Sequence, residues 1–221
     1  FRSIADLIKL IFKNKSPIRI FHNFFLKDIE ITGKTIDLGS GNHSSYLNHL
    51  INHSDQIFFA DKNNKEIENH YKVDLEKKLK FNNDEFDTVI LFNVLEHIEN
   101  DELALKGIYR MLNAGGHILI FVPALRFLFS ELDKGLGHYR RYHRDGLVSI
   151  VEAAGFRIQL VRYFDLLGVF PWWVVHTVIG KTKLDPKMGA IYDRIGVPVT
   201  RNIEKLFSPP FGKNIILVAR K

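Results

Sequence analysis

Short apolar runs alternate with turn-forming clusters along most of this chain, as in an α/β protein whose strands are buried on both faces. Residues 34–38 (KTIDL) and 56–60 (QIFFA) read as the first two strands, joined by a helix over about His43 to Asn52. After the turn signal Asn82-Asn83-Asp84, the unbroken run Thr88 to Phe92 reads as a central parallel strand. Asp101 to Leu112 carries helical spacing and ends in the turn sequence Asn113-Ala114-Gly115-Gly116, ahead of a strand over His117 to Val122. A helix is expected over Asp145 to Ala154, with Asp145 as its N-cap and Gly155 closing it, and then a strand over Phe156 to Phe164. A last strand is expected over Asn214 to Ala219. Upstream, Ile4, Leu7, Ile8 and Ile11 fall at helical spacing, and a second apolar stretch runs from Ile18 to Leu26.

The junction after the first strand carries the sharpest chemistry. Asp37 is followed by the turn Gly39-Ser40-Gly41, and the second strand runs into Asp61. Glycines let backbone N–H groups approach a ligand closely where a strand turns into a helix, and an acid ending the next strand can hold ribose hydroxyls. This is a nucleotide cradle. A dinucleotide fingerprint would place a third glycine where Ser44 stands, so a nicotinamide oxidoreductase is the weaker alternative.

The D-x-G-x-G order of residues 37 to 41, with the second acid at 61, resembles motif I of the class I S-adenosylmethionine (SAM) dependent methyltransferases. Asp74-Leu75, FDTVILFNVLEHI (86–98) and LKGIYRMLNAGGHILIFVPA (105–124) follow in that family's order. The chain is most similar to the ubiquinone-biosynthesis type and to relatives that accompany bacterial glycan assembly. The likeness spans about residues 33–164 and the final strand. It implies a Rossmann-like, doubly wound, seven-stranded α/β sheet, mostly parallel with an antiparallel last strand. The expected organisation is a single domain over 1–221: a helical cap at 1–30, a cofactor-binding core at 33–164, an insertion or lid at 165–213, and the last strand at 214–221.

The same resemblance implies SAM as cofactor, with S-adenosylhomocysteine as product. Asp37, Gly39, Ser40 and Gly41 would serve its amino acid end, Asp61 its ribose, Asp74 and Leu75 its adenine, and Asn93 and Val94 the sulfonium region. Departing from the family pattern, His43 replaces the usual third glycine. His97, following the fourth strand, is a candidate for proton removal because histidine titrates near neutral pH. His138 is the second catalytic candidate. It opens the stretch His138-Tyr139-Arg140-Arg141-Tyr142, which the glycan-associated relatives share. Arginines recognise oxyanions with paired donors, so Tyr139, Arg140, Arg141 and Tyr142 form the expected acceptor site.

Composition narrows the classes. There is no cysteine among the 221 residues, which excludes a disulfide framework, a thiolate zinc site and a cysteine nucleophile. No compact H-x-x-x-H or acidic triplet is visible, so no metal site is assigned. The net charge of +6 is spread along the chain and suits an anionic acceptor or membrane surface better than a nucleic acid. The start is broken by Asp6, Lys9 and Lys13 and does not read as a signal peptide, so a cytoplasmic location is expected. Within the insertion, LLGVFPWWVVHTVIG is too short for a bilayer span, which needs about 20 residues. Trp172 and Trp173 suit either an interfacial segment at the inner membrane face or ordinary packing. The expectation is therefore methyl transfer, in particular to an oxygen of a saccharide or another small anionic acceptor, lipid-linked or free. The alternatives are a quinone-precursor or other small-molecule methyltransferase, and an inactive methyltransferase-like partner module.

Overall fold

The computed structural model describes residues 33–41, 56–63 and 69–221. The N-terminal helices and the helix over His43 to Asn52 expected from the sequence lie outside these residues.

Seven strands form one sheet in the order β3-β2-β1-β4-β5-β7-β6. They are β1 (Lys34–Leu38), β2 (Gln56–Asp61), β3 (His70–Lys72), β4 (Phe86–Phe92), β5 (Leu112–Pro123), β6 (Arg157–Phe164) and β7 (Asn214–Arg220). β1 pairs in parallel with both β2 and β4, whereas β7 runs antiparallel between β5 and β6. The chain therefore winds outwards from β1 through β2 and β3, then returns to start the other half at β4. That reversal leaves a crevice at the carboxyl ends of β1 and β4, where open α/β sheets bind ligands.

β4 shows why a continuous apolar run makes a central strand. Val89 and Leu91 face one core cluster, with Ala104, Leu105, Ile108 and Met111 of α1 (Asp101–Met111). Ile90 and Phe92 face the other, with Leu119 and Phe121 of β5 and Ile216 and Val218 of β7. Successive side chains leave a strand on opposite sides, so a strand covered on both faces needs no polar alternation.

The expected boundaries need two corrections. Asn113 to Gly116 is not a free turn but the opening of β5: Leu112 already pairs with Phe86, and the Asn113 side chain donates to Asp87 at 2.7 Å. Gly115, at φ +81°, absorbs the irregularity. The helix expected from Asp145, here α3 (Arg144–Ala153), has extended His143 rather than Asp145 as N-cap. Asp145 instead lies in the first turn, where an acid meets the positive end of the helix dipole.

The long connection between β6 and β7 is helical. α4 (Val169–Trp172) continues as a π-helical segment over Trp173–Val178, and α5 (Pro186–Ile191) runs through a second such segment into α6 (Val197–Leu206). Val197 is fully buried in the sheet's second core cluster, so the end of the insertion covers one face of the sheet. The two tryptophans part company: Trp172 packs against the main core, while Trp173 is 41% exposed.

A buried polar cluster anchors these helices. Asp165, left-handed at φ +65°, accepts from the Tyr192 hydroxyl, from Lys213 Nζ at 2.8 Å and from the Gly168 amide at 3.1 Å. Glu204 Oε1 accepts the Leu166 amide at 2.8 Å. Burial first, and then the charge of Asp165, push the Glu204 carboxyl up to about 7, against the opposing Leu166 amide and Arg162. The unfolded chain releases this proton at lower pH than the folded one, so the cluster loses stability as pH rises from about 4.5 to about 7. Replacing Glu204 with Gln keeps the acceptor for Leu166 and removes the titration. Thermal melts are expected to show the variant ahead of the parent by roughly 3 kcal/mol at pH 8, with no gain at pH 4.

Candidate active site

The Gly39-Ser40-Gly41 turn leaves the end of β1 with Gly39 at φ +83° and Gly41 at φ +62°. The amides of Gly39 and Ser40 donate to the Ala60 carbonyl at 2.6 and 3.3 Å, which pins the turn to β2. A Cβ on Gly39 would lie 2.2 Å from Val94 Cγ2, so no larger residue fits between the turn and the segment after β4. At Gly41 the same Cβ would meet no atom of the described residues within 4 Å. Asp37 is buried beneath the turn, 1% exposed.

Asp61 closes the cradle. Its Oδ2 accepts the Gly41 amide at 3.1 Å and its Oδ1 accepts the Asn63 amide at 2.8 Å. A carboxylate has about four acceptor positions, so hydrogen-bonding capacity remains for a diol. Asp74 follows β3, with its Oδ1 accepting the Glu76 amide at 3.2 Å and Lys62 and Lys77 at 3.7 and 3.5 Å from its Oδ2. Desolvation alone would raise its pKa, but that amide and the two ammonium groups hold it below the ordinary carboxylate range. Asn93 follows β4 in the left-handed region, φ +54°, which asparagine tolerates better than most residues.

Gly39, Asp61, Asp74, Leu75, Asn93, Val94 and His97 all line one open cleft of about 440 Å³. The fold thus gathers most of the expected cofactor residues at the predicted crevice. Ile98, Lys62 and Asn63 also line it, although no motif or spacing singles them out.

His97 and Glu96 belong to a 3-10 turn, Leu95–His97. His97 Nδ1 lies 3.2 Å from the Gly137 carbonyl, and its ring meets that of His138 with centroids 4.6 Å apart. Desolvation, and after it the neighbouring His138, lower its pKa against the Gly137 carbonyl, which favours the neutral imidazole. Glu96 is fully buried, and among the described residues no other donates to either of its carboxyl oxygens. Burial pushes this carboxyl up to about 8, its own amide and Arg141 offsetting only part of the effect.

The stretch from His138 to Tyr142 divides into an inner and an outer part. Arg141, 6% exposed, sets its Nε and NH2 at 2.9 and 2.8 Å from Asp133 Oδ1, and its guanidinium stacks on the Trp172 ring at 4.8 Å. Tyr142 is buried, its hydroxyl donating to Asp101 at 2.7 Å. Both therefore brace the loop from within. Tyr139 is 51% exposed, and its amide donates to the Glu96 carbonyl at 2.8 Å. Arg140 is half-buried, pairing with Asp101 at 2.8 Å and donating to the Glu99 carbonyl at 2.6 Å, one residue beyond Ile98 of the cleft.

Asp133, in α2 (Glu131–Gly135), organises this loop. It is fully buried and accepts from His138 Nδ1 at 3.0 Å, from Arg141, and from the Ser130 amide and hydroxyl at 2.9 Å. Burial works to raise its pKa, but His138, Arg141 and Ser130 outweigh that and hold it at about 2. In the sequence Asp133 is merely a nearby acid, because nothing local shows that the chain turns back on it.

A glycine turn at the switch point, acids after β1 and β2, and an antiparallel seventh strand together define the class I methyltransferase architecture. Residues 1–161 match the methyltransferase domain family, and the chain belongs to that family. Its cofactor is S-adenosylmethionine, which the turn at Gly41 and the acids of the cleft fit. Among solved structures, a SAM-dependent methyltransferase from Archaeoglobus fulgidus is similar at a TM-score of 0.60 and 18% identity, covering 99% of this chain and 100% of that one. An S-adenosylmethionine-dependent methyltransferase from Mesorhizobium loti gives 0.58 and 15%, covering 89% and 96%. The [4+2]-cyclase SpnF gives 0.57 and 16%, covering 91% and 80%. No curated protein matches the chain.

Proposed function

We propose that the protein methylates an oxygen of a small anionic acceptor of saccharide type, carried on a lipid. The observation that supports this best is the loop from His138 to Arg140, which sets one imidazole against that of His97 and brings an exposed tyrosine and a half-buried arginine beside the cofactor cleft. SAM supplies a methyl group already activated by its sulfonium, so the protein's task is to align the acceptor and take up its proton.

In this reading Asp61 holds the ribose hydroxyls and Asp74, with Leu75 beside it, the adenine. The turn over Gly39, Ser40 and Gly41, supported by Asp37, receives the amino acid end. Asn93 and Val94 border the sulfonium region. His97 and His138 supply basic nitrogens next to the cleft. Tyr139 offers a ring face to a sugar and Arg140 a cation to an anionic group, while Arg141 and Tyr142 hold the loop in shape. The outward apolar residues of the insertion, Phe170, Trp173, Val178 and Ile179, with Lys181 alongside, suit contact with a lipid chain or an anionic membrane surface. Among the described residues no helix is long and apolar enough to cross a membrane.

The test is a methyl-transfer screen with labelled SAM against lipid-linked saccharides, nucleotide sugars and quinone precursors. Turnover on the first group supports the reading, and turnover only on quinone precursors replaces it. With the acceptor in hand, Arg140→Ala is expected to raise its KM about tenfold, the effect of one charged hydrogen bond, with SAM affinity unchanged. The opposite split would move the acceptor site elsewhere.

A further inference from the structure

Three side chains next to the cleft each bring one possible ligand atom to a common point. Glu96 and His97 come from the turn after β4. His138 is brought alongside from the loop after α2. One oxygen or nitrogen from each lies within 4.8 Å of those of the other two.

Their partners fix the chemistry of each. The Gly137 carbonyl can only accept, so His97 Nδ1, 3.2 Å away, carries the hydrogen and Nε2 keeps its lone pair. Asp133 imposes the same tautomer on His138 through the 3.0 Å contact with its Nδ1, and Arg141 keeps Asp133 ionised. A carboxylate behind a histidine in this way orients the ring and raises the basicity of its other nitrogen, the support found behind metal-bound imidazoles. Glu96 adds a fully buried carboxyl that no other described residue satisfies. A buried polar group without a partner is costly, and a cation at the centre of the cluster would give Glu96 one in its ionised form.

We propose that Glu96, His97 and His138 bind a first-row divalent cation, with Asp133 as the positioning residue for His138. Two imidazoles and one carboxylate suit Zn²⁺, Co²⁺ or Mn²⁺ better than Mg²⁺, which prefers oxygen ligands and water. Three protein ligands leave coordination positions open for a further oxygen, and His97 lines the cleft, so the site adjoins the place where an acceptor would lie. This deepens the methyltransferase reading and rests on it for the role of the open positions. In the loaded state the two imidazoles would act as ligands and coordination would acidify a bound hydroxyl; its proton would pass to water in the open cleft, and the methyl group would move from the SAM sulfonium to that oxygen, releasing S-adenosylhomocysteine.

The test uses the whole protein stripped with chelator, titrated with Zn²⁺ by calorimetry and with Co²⁺ by visible absorption, without acceptor. One equivalent of metal should bind, with Co²⁺ d–d bands showing nitrogen ligation. Glu96→Gln and His138→Ala should each weaken binding at least tenfold, and Asp133→Asn roughly tenfold to a hundredfold through His138. Glu131→Gln, a surface change on the same helix as Asp133, should leave metal affinity unchanged. Circular dichroism melts of each variant separate lost ligation from lost folding, and Glu96→Gln conserves shape for that purpose. Absence of stoichiometric binding, or binding that survives both Glu96→Gln and His138→Ala, overturns the proposal. SAM titrated into the same sample reports on the cofactor site independently, so a metal failure with intact SAM binding leaves the methyltransferase reading standing.

Discussion

Replacing Asp61 with Ala is expected to weaken SAM binding about a hundredfold, as loss of one or two charge-assisted hydrogen bonds would require. Two effects act together. The variant removes the carboxylate that would hold the ribose, and it releases the Gly41 amide that Asp61 now fixes at 3.1 Å. Asp61→Asn keeps an acceptor oxygen and should lose less. Because Asp61 is only partly buried at the end of β2, neither change should move the melting temperature by more than a few degrees. Calorimetric affinities for parent and variants check this. An unchanged affinity in Asp61→Ala would remove that residue from the cofactor site.

Asp133→Ala is expected to cost about 3–5 kcal/mol of stability and to lower the melting temperature by roughly 10 °C. The loss is large because the substitution leaves the Arg141 guanidinium buried without its carboxylate, and strips His138 and Ser130 of their shared acceptor. Replacing both members of the pair, Asp133→Leu with Arg141→Met, should restore part of that loss, since an apolar pair carries no uncompensated charge. The pH dependence follows from the same contacts. With its folded pKa held at about 2, Asp133 contributes stability above its unfolded value of 3.8, and that contribution fades as pH falls from about 4 to 2. Denaturant melts across this window should show the parent losing stability to acid more steeply than the double variant. Equal slopes would assign the acid sensitivity elsewhere.

Local signals carried the cofactor half of the site. Gly39 and Gly41 stand where the backbone takes positive φ, and that demand, with an acid at each strand end, is written in a few adjacent residues. β4 was legible because burial on both faces leaves an unbroken apolar run. β6 and β7 pair antiparallel, as the family resemblance and not the local pattern implied. The beginning of β5 was not legible, because glycines and asparagine read as a turn until pairing of Leu112 with Phe86 is known. Likewise Trp172 and Trp173 are chemically alike, and only the helix that carries them sends one to the core and the other outwards.

The acceptor half was hidden for a different reason. Arg140 and Arg141 are neighbours of the same type, yet Asp101 and Asp133 draw them to different surroundings. The joining of Glu96 and His97 to His138 depends on the loop after α2 folding back, recorded in the contact from the Tyr139 amide to the Glu96 carbonyl. No spacing in the chain encodes that contact. It follows from tertiary packing, so no compact ligand motif in the chain marks it.

The most direct test is calorimetric titration of the purified protein with SAM, S-adenosylhomocysteine and NADH under one set of conditions. One site with micromolar affinity for the first two and no heat from NADH is expected. Binding of NADH alone, or no binding of SAM by a protein shown to be folded, would contradict the methyltransferase reading.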